Sequence, residues 1–387
     1  MVFYYQIFKR ELGRFRFRKT AWFILLGVPL VFFSYFAAIY WEGSVQHLNV
    51  SVLDNDKSVL SRKFSTMLNS MPTISVSDEL NSEDILETYF ADNQDVSAVF
   101  LIPNGFEKGI YHSKQQDIVV YTNSTSIIIG NLVYKKAAEL INTFSAGINL
   151  NDYLLNGIPR KKAMNMIMPV KVYSKPLFNP NYNYMYYLVP GVITVLLQMM
   201  VFLLATRALN SEWNLGTIDE LISLANGSVL KIILGKSLVY TLFGMLVALF
   251  IYYILYPIMG MSLPSNMSVY LAFLLLFIWT NVILGLAFSV IFIDEAIAMD
   301  FAFVYNSPAF VFSGFTFPAL GMPAFDQLYA QIIPYTYFLK GYFKYFQMES
   351  PFSYIIPEIV ILLCFSLGAY IVLATTLLLR IKKRSLL

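Results

Sequence analysis

The chain has 387 residues, of which 57% are hydrophobic and only 13% are charged, against about 25% charged residues in an average soluble protein. So little charge excludes a soluble globular protein, because the polar side chains cannot cover the surface of a chain this long. The 17% aromatic content excludes a disordered chain, the single cysteine excludes a disulfide scaffold, and the net charge of +3 is too small to indicate nucleic-acid binding. The composition predicts an α-helical polytopic membrane protein.

The chain begins with a segment, residues 1–20, in which Phe, Tyr, Ile and Leu are mixed among Arg and Lys. Residues 2–17 predict an amphipathic helix that lies in the cytoplasmic membrane interface. A cleavable signal peptide is not expected, because the basic region is long and no small-residue cleavage site follows the first apolar run. A simple basic anchor is compatible with the same pattern.

Apolar runs of about 20 residues, the length that crosses a bilayer, follow along the chain. They predict six transmembrane helices at residues 22–41, 185–206, 232–256, 269–293, 296–315 and 355–379. As domains, the first helix occupies 21–41 and the other five lie within 184–380. Basic residues precede the first span and follow the last, whereas residues 257–267 contain no Lys or Arg. Both termini, including the tail 381–387, are therefore predicted to be cytoplasmic.

Residues 42–183 have the composition of a soluble domain and predict an extracytoplasmic α/β domain. Strands are predicted at 50–53, 73–76, 97–102, 118–121 and about 167–173, and helices at 58–68, 83–90 and 126–144. Asp54 and Asp56 form a D-x-D pair, which can hold Mg²⁺, but the residues that follow fit a turn and a helix N-cap better. No metal site, catalytic residue or bound cofactor is predicted for this chain.

The longest predicted cytoplasmic loop, residues 207–231, is acidic although positive charge is expected there. Thr217 is suited to cap a short helix with apolar residues on one face. The loop thus predicts a docking element that exposes acidic and apolar positions, and an ordinary solvated connector is the alternative. Gly235-Lys236-Ser237 is similar to the end of a phosphate-binding loop, but Leu230 stands where that motif needs its first glycine. Any ATP that drives the protein is therefore hydrolysed on a separate chain.

The stretch before the last span is rich in Pro and Gly and cannot form one continuous helix. Within a membrane such a backbone has to be buried in protein or line a cavity, which predicts an outer re-entrant segment at 316–350; a long irregular loop is the alternative. The candidate gate residues in and before this segment are Ser313, Gly314, Pro318, Pro323, Pro334 and Tyr337. The tyrosines that precede the second span, Tyr182, Tyr184, Tyr186 and Tyr187, predict an aromatic belt at the outer interface.

Few polar residues lie inside the predicted spans. Gln198, Asn281 and Asn306 predict amides that join helices, with a pathway lining as the alternative. Intramembrane Lys or Arg is not expected, which argues against a proton-coupled transporter. The acidic residues near the cytoplasmic end of the fifth span are expected to be solvated, or paired with an ATPase or with the N-terminal helix. These residues are Asp294, Glu295 and Asp300.

Taken in chain order, several motifs resemble the membrane subunit of type-2 ABC exporters with a large external domain after the first span. Residues 212–221 resemble that family's E-x-x-x-G-T-x-x-x-L coupling segment, and Gly235-Lys236 resembles the G-K pair that follows it. Residues 312–318, 322–323 and 334–337 are similar to its S-G-x-x-x-P, M-P and P-x-T-Y series. Residues 9–12 with Arg18 and Pro29, and residues 52–58, resemble its opening and the start of its external domain. The chain departs from the family at Ala225-Asn226-Gly227, where proline is frequent, and at Asp294-Glu295, where uncharged polar residues are usual.

The resemblance implies a permease subunit of a bacterial cytoplasmic membrane that pairs with a second permease, identical or closely related, and with two ATPase subunits that bind ATP and Mg. It assigns ATPase coupling to Glu212, Gly216, Thr217, Asp219, Glu220 and Leu221. It also implies short re-entrant helices at residues 313–337. A periplasmic adaptor is left open as a further partner. The mostly apolar spans fit export of a hydrophobic or amphipathic compound.

Two other functions remain as alternatives. The chain could be a membrane-anchored adaptor that transmits ATPase motion to its external domain while nothing crosses the bilayer. It could also be an enzyme or receptor that acts through the external domain. A continuous central cavity would favour export, tightly sealed spans would favour the adaptor, and an external cleft with convergent ionisable groups would favour the third function.

Overall fold

The computed structural model describes residues 2–17, 22–40, 45–80, 86–93, 95–169, 177–179, 183–263, 266–292 and 294–385. The chain divides into two compact units. One is formed by Met1–Gly43 together with Pro176–Leu387, and the other is formed by Ser44–Lys175. The second unit is thus an insertion in the sequence of the first.

Two helices precede the inserted unit. These are α1 (Val2–Phe17) and α2 (Val28–Ile39), which follows a π-helical turn at Phe23–Gly27. On α1, Ile7, Glu11 and Phe15 recur every four residues and are almost fully buried, so one face of the helix packs against the protein. The helix has the predicted bounds, and its buried face carries a carboxylate between two apolar side chains.

The inserted unit contains a four-stranded sheet with the strand order β2-β1-β3-β4. Its strands are β1 (Leu48–Asp54), β2 (Ile74–Glu79), β3 (Val96–Ile102) and β4 (Val119–Thr122). Its helices are α3 (Val59–Asn69), α4 (Leu86–Asp92), α5 (Phe106–Tyr111), α6 (Ile127–Leu155) and α7 (Arg160–Ile167). β1 is parallel to β2 and β3, and β4 is antiparallel to β3. Every residue of β3 is buried, as expected for a central strand covered on both faces.

The fifth predicted strand, at about 167–173, is wrong where the structure describes it. Ile167 ends α7, and the two residues after it are irregular; residues 170–173 lie outside the described residues. The other four predicted strands overlap β1 to β4.

The D-x-D pair shapes the turn between β1 and α3. Asp54 Oδ1 accepts hydrogen bonds from the N–H groups of Asp56 (3.0 Å) and Lys57 (2.9 Å). The Asp56 carboxylate accepts from the N–H groups of Gly105 (2.8 Å) and Glu107 (3.0 Å). Both carboxylates are bound to main-chain donors, which favours the structural interpretation of this pair.

The first unit continues with nine helices within the described residues. They are α8 (Tyr184–Asn214), α9 (Ile218–Leu224), α10 (Val229–Phe250), α11 (Met267–Ile291), α12 (Glu295–Asn306), α13 (Ala309–Phe312), α14 (Ala324–Gln331), α15 (Pro334–Gly341) and α16 (Ile356–Ser385). α10 continues through a π-helical turn at Ile251–Leu255 into Tyr256–Ile258. α15 continues into a π-helical turn at Tyr342–Gln347, and a 3₁₀ turn at Phe352–Ile355 leads into α16.

Four helices among the described residues are long and apolar enough to cross a membrane: Tyr184–Asn214, Val229–Ile258, Met267–Ile291 and Phe352–Arg384. The spans predicted at 22–41 and 296–315 are not among these four. α2 has 12 residues. α12 also has 12 residues and ends just before Pro308, because a proline cannot donate the next helical hydrogen bond. The chain has the composition and helices of an α-helical membrane protein.

α11 is the central helix of this unit and packs against both α8 and α16. A Cβ at Gly285 would lie 2.5 Å from the carbonyl oxygen of Phe202. The backbones of α8 and α11 therefore approach each other at a distance that only glycine allows, as is common between membrane helices.

Candidate functional site

α8 ends in a turn built on Gly216, and this turn explains the spacing between Glu212 and Thr217. Gly216 has a φ of +66°, a left-handed conformation that favours glycine. Its N–H donates to the carbonyl of Trp213 (3.2 Å), and the N–H of Thr217 donates to the carbonyl of Glu212 (2.9 Å). This is the Schellman pattern of helix ends. It also brings the Thr217 hydroxyl to the Glu212 carboxylate, where Oγ1 donates to Oε2 at 2.6 Å.

The Glu212 carboxylate is fully buried and binds three cations. Arg10 of α1 donates from Nη1 to Oε1 (2.8 Å) and from Nη2 to Oε2 (3.0 Å). Arg14 and Lys236 also donate to Oε1. The two-pronged geometry of Arg10 is the strong form of an arginine–carboxylate pair. Glu212 therefore joins the end of α8 to α1 and α10.

Lys236 of α10 is the second buried charge, and its ammonium has three acceptors. Nζ donates to Glu11 Oε2 (2.7 Å), Glu212 Oε1 (2.8 Å) and the carbonyl of Ala208 (2.9 Å). The other oxygen of Glu11 accepts from the Tyr240 hydroxyl at 2.7 Å. Both Lys236 and Glu11 thus have the partners that a buried charge requires.

We call these groups the ionic cluster: Arg10, Glu11, Arg14, Glu212, Glu220 and Lys236. Arg10 extends the cluster to the short helix α9, since its Nη2 lies 3.1 Å from Glu220 Oε2. Burial disfavours the charge of Arg10, but the hydrogen bonds and charges of Glu212 and Glu220 outweigh burial and raise its pKa. The contact with Arg10 lowers the pKa of Glu220. With three cations and three carboxylates, the cluster is electrically balanced.

Apolar contacts on either side of the ionic cluster fix α1 along α10. A Cβ at Gly235 would lie 2.6 Å from the Ile7 side chain, so glycine makes room for Ile7. On the other side of the ionic cluster, Phe15 stacks on Phe243, with ring centroids 4.1 Å apart. The adjacent residues Gly235 and Lys236 therefore both contribute to the contact between α1 and α10. Gly235 allows the close approach, and Lys236 supplies the charge.

The surface of α9 differs from the prediction. Ile218 and Leu221 are fully buried, so the apolar face packs inward and is not exposed for docking. Thr217 occupies the N-cap position but makes no capping hydrogen bond with its side chain, because its hydroxyl donates to Glu212. The exposed side of this loop carries Asp219, Glu220 and the apolar Leu215, which is 65% exposed.

Two of the acidic residues at the start of α12, Asp294 and Glu295, have partners within this chain. Asp294 Oδ1 accepts from the N–H groups of Ala296 (2.8 Å) and Ile297 (3.0 Å) and caps α12. Glu295 pairs with Arg207 of α8 and not with the N-terminal helix. Asp300 is exposed. Asp294 thus caps the start of α12, and Glu295 attaches it to α8.

The proline-rich segment, residues 313–337, is divided into short elements. Gly314 has a φ of +85°, Pro318 and Pro323 precede a 3₁₀ turn and α14, and Pro334 begins α15. Ser313 is buried and donates to the carbonyl of Phe310 (3.1 Å). The Tyr337 hydroxyl donates to the carbonyl of Gln331 (3.1 Å).

Tyrosine hydroxyls attach the proline-rich segment to the first turns of α8. Tyr187 donates to the carbonyl of Phe315 (2.7 Å), and the buried Tyr335 donates to the carbonyl of Gly191 (2.8 Å). A Cβ at Gly191 would lie 2.6 Å from the Phe315 ring. Tyr187 was predicted only as part of an aromatic belt, and no contact was predicted for Gly191 or Tyr335. Tyr182 lies outside the described residues.

The three candidate lining amides are buried. Gln198 Nε2 donates to Asn306 Oδ1 (2.9 Å), which joins α8 to α12, and Asn281 Nδ2 donates to the carbonyl of Phe277 (2.8 Å). Gln198 Oε1 and Asn281 Oδ1 have no hydrogen-bond partner within the described residues. Lys236 lies near the start of the helix Val229–Ile258.

These features define a polytopic α-helical membrane protein in which buried charges hold a short exposed helix against the ends of longer ones. The sequence profile of the ABC-2 family transporter proteins matches residues 19–375, and the chain belongs to that family. It is similar to the probable multidrug ABC transporter permease YbhS of Escherichia coli K12, with 26% identity over 175 residues, or 44% of this chain and 45% of that protein. YbhS of Escherichia coli O157:H7 matches equally. The alignment spans less than half the length of these curated relatives.

Family membership confirms the resemblance to the membrane subunit of an ABC transporter. Arg10, Glu11 and Lys236 lie within the family motifs, but the sequence alone predicted no role for them. The unexplained acidity of the loop after α8 was the signal that could have identified them, because carboxylates at a helix end need nearby cations when they are buried.

We expect Lys236→Met to destabilise the first unit, because it leaves Glu11 buried without a cation. Breaking a buried ion pair from one side costs about 3–5 kcal/mol. Lys383→Met, at an exposed position on α16, is the control. Thermal unfolding of the purified chain measures the effect, and adding Glu11→Gln to Lys236→Met should recover part of the loss. Equal unfolding temperatures for the two lysine variants would contradict a structural role of the cluster.

A second expectation concerns the attachment of the proline-rich segment to α8. Gly191→Ala places a methyl group against the Phe315 ring and should lower the free energy of unfolding by about 1–3 kcal/mol. Gly368→Ala, on α16, is the control, because a Cβ there meets nothing within 4 Å, so it should be neutral or slightly stabilising. The same thermal measurement applies, and a neutral Gly191→Ala would show that the segment is loosely attached.

Proposed function

We propose that this chain is the permease subunit of an ATP-driven ABC exporter of a bacterial cytoplasmic membrane. Two permeases, identical or closely related, pair with two ATPase subunits that bind ATP and Mg. The complex moves a hydrophobic or amphipathic compound out across the membrane. This chain supplies the membrane path, and ATP is hydrolysed on the partner chains.

The ionic cluster is the observation that carries this proposal. A subunit that is driven by the motion of an ATPase needs an exposed contact surface for that ATPase. This surface has to be attached rigidly to the membrane-spanning helices. α9 and the turn before it are such a contact, because Glu212, Thr217 and Glu220 bind Arg10 and Arg14 of α1, while Leu215 and Asp219 remain exposed. A push on this loop is transmitted to α1, α8 and α10 together.

In this proposal the coupling residues are Glu212, Gly216, Thr217, Asp219, Glu220 and Leu221. Glu212, Gly216 and Thr217 form the turn, and Ile218 and Leu221 anchor α9 in the core. The partner contacts the exposed side, around Leu215 and Asp219. This assignment differs from a helix that docks through its apolar face.

The sidedness of the proposal follows from charge. Basic residues of α1 and of the last turns of α16 belong on the cytoplasmic side, which places α9 there and residues 42–183 outside. Six spans result if residues 22–41 and 296–315 cross the membrane as interrupted helices. A periplasmic adaptor that binds the external domain is compatible with this arrangement.

The second permease is supported by α12. Ile297, Phe301 and Val304 form a stripe on this helix and are each about half exposed or more. The helix breaks at Ser307-Pro308, and a broken backbone at membrane depth has to be covered by protein. A second permease packed against α12 covers both the exposed apolar stripe and the broken backbone. In this arrangement the pathway lies between the two chains.

Two sets of residues are proposed to act on the cargo. Gln198, Asn281 and Asn306 lie on or beside the pathway, and the unpartnered oxygens of Gln198 and Asn281 can accept hydrogen bonds there. Ser313, Gly314, Pro318, Pro323, Pro334 and Tyr337 belong to the segment that closes the pathway on the outside. The apolar surroundings of these groups fit a drug-like or lipid-like cargo, as the name of the multidrug relative suggests.

Leu215→Asp tests the coupling contact. It places a charge in the proposed apolar contact with the ATPase, and we expect at least a tenfold loss of co-purifying ATPase without a change in unfolding temperature. Leu155→Asp is the matched control, because Leu155 is 79% exposed at the end of α6 in the other unit. The measurement is the amount of ATPase retained by the purified permease.

Undiminished ATPase binding by Leu215→Asp would contradict the coupling role of this loop. The adaptor function is tested in parallel by transport into inverted membrane vesicles. ATP hydrolysis that depends on this chain, with no accumulation of any fluorescent amphipathic dye, would favour the adaptor over the exporter.

A further inference from the structure

An open apolar groove of about 460 Å³ runs between α11 and α16. Leu284 and Ile291 lie along its α11 wall, and Ile361, Gly368 and Val372 lie along its α16 wall. From Ile361 to Val372 this wall rises about 16 Å at 1.5 Å per residue. One leaflet of a bilayer has about half of the roughly 30 Å hydrocarbon core, so the groove is about as long as one leaflet is thick.

A guanidinium group stands at one end of the groove. Arg380 of α16 donates from Nη2 to the carbonyl of Ile291 (3.0 Å), and Ile291 lines the groove. The guanidinium carbon lies 5.5 Å from the centre of the Trp213 ring. An apolar groove that ends at a cation and a tryptophan matches the chemistry of a lipid, whose apolar acyl chain lies below a polar headgroup.

Arg380 also lacks a carboxylate partner within the described part of the chain. Other arginines of the first unit do have one. Those that pair with Asp or Glu are Arg10, Arg14, Arg207 and Arg384. Its bonds to a carbonyl and a ring leave the positive charge uncompensated. Among the described residues, Arg380 is thus a cation without a carboxylate partner at one end of the apolar groove.

We propose that this groove binds one acyl chain of an anionic phospholipid, with the phosphate at Arg380. The apolar walls hold the chain, and the guanidinium selects the anionic headgroup. The proposal rests on the proposed function only in placing this end of α16 in the cytoplasmic leaflet. The charge favours a lipid over a helix of another protein, because an apolar helix would leave Arg380 unpaired.

The test uses the purified full-length chain in detergent with equal amounts of phosphatidylglycerol and phosphatidylcholine that carry the same acyl chains. Native mass spectrometry counts the lipids retained. We expect the wild type to retain phosphatidylglycerol preferentially, and Arg380→Gln to reduce this preference about fivefold, since one basic residue near an anionic surface contributes about 1 kcal/mol. Arg384→Gln is the control, because Arg384 is paired with Asp219.

A second pair of variants tests the groove itself. Gly368→Leu fills it without a backbone clash, because a Cβ at Gly368 meets nothing within 4 Å, and should abolish phosphatidylglycerol retention. Thr375→Leu, exposed on the same helix, should leave it unchanged. If Arg380→Gln has no effect, or if Gly368→Leu retains the lipid, the proposal is overturned.

A helix of a second copy is the competing occupant. Cys364 lines the groove and is the only cysteine of the chain. Oxidative cross-linking of two chains through Cys364 in native membranes would overturn the lipid assignment, and no cross-link is expected. None of these measurements needs the ATPase, so their failure is distinguishable from failure of the coupling proposal.

Discussion

The first unit depends on one ammonium group held between two carboxylates. Lys236 lies between Glu11 and Glu212, and all three side chains are almost completely buried. Moving such charges out of water costs several kcal/mol each, and their attraction repays this only when every polar atom has a partner. Arg10, Arg14, Thr217, Tyr240 and a main-chain carbonyl supply those partners. Each partner comes from a helix that must be in place, so the charges specify one arrangement of α1, α8 and α10.

Charge and apolar packing set the same register of α1 on α10. Glu11 meets Lys236 in one register only. Gly235 accepts Ile7 in that same register, so the apolar and ionic contacts agree.

The two ends of α8 are held by different kinds of bonds. At its last turns the ionic cluster joins it to α1 and α10 through charges. At its first turns Tyr187 and Tyr335 hold the proline-rich segment through neutral hydrogen bonds to main-chain carbonyls, which are individually weaker. The 31-residue helix spans about 46 Å between them. One continuous helix therefore connects a charged attachment at one end to a weaker, neutral attachment at the other.

The sequence predicts the features that depend on local patterns. Long apolar runs give four of the membrane helices, and the glycine after Glu212 marks a helix end. The sequence does not reveal which residues meet across long separations, because Glu11 and Lys236 are 225 positions apart. It also misassigned the apolar face of α9, since Ile218 and Leu221 fit either an exposed docking face or a buried anchor. The strand predicted at about 167–173 is wrong where the structure describes it, because the helix Arg160–Ile167 includes its first residue.

The long separation between Glu11 and Lys236 has a consequence for biogenesis. At about 5–20 residues per second, a ribosome needs roughly 10 to 45 s to add the residues between them. During that time α1 carries Arg10, Glu11 and Arg14 without the groups that neutralise them in the finished protein, and it has to wait in a hydrated environment. The ionic cluster can form only when α10 emerges, after the whole inserted unit has been synthesised. A nascent chain that stalls before residue 236 therefore presents α1 without the ammonium group that pairs with Glu11.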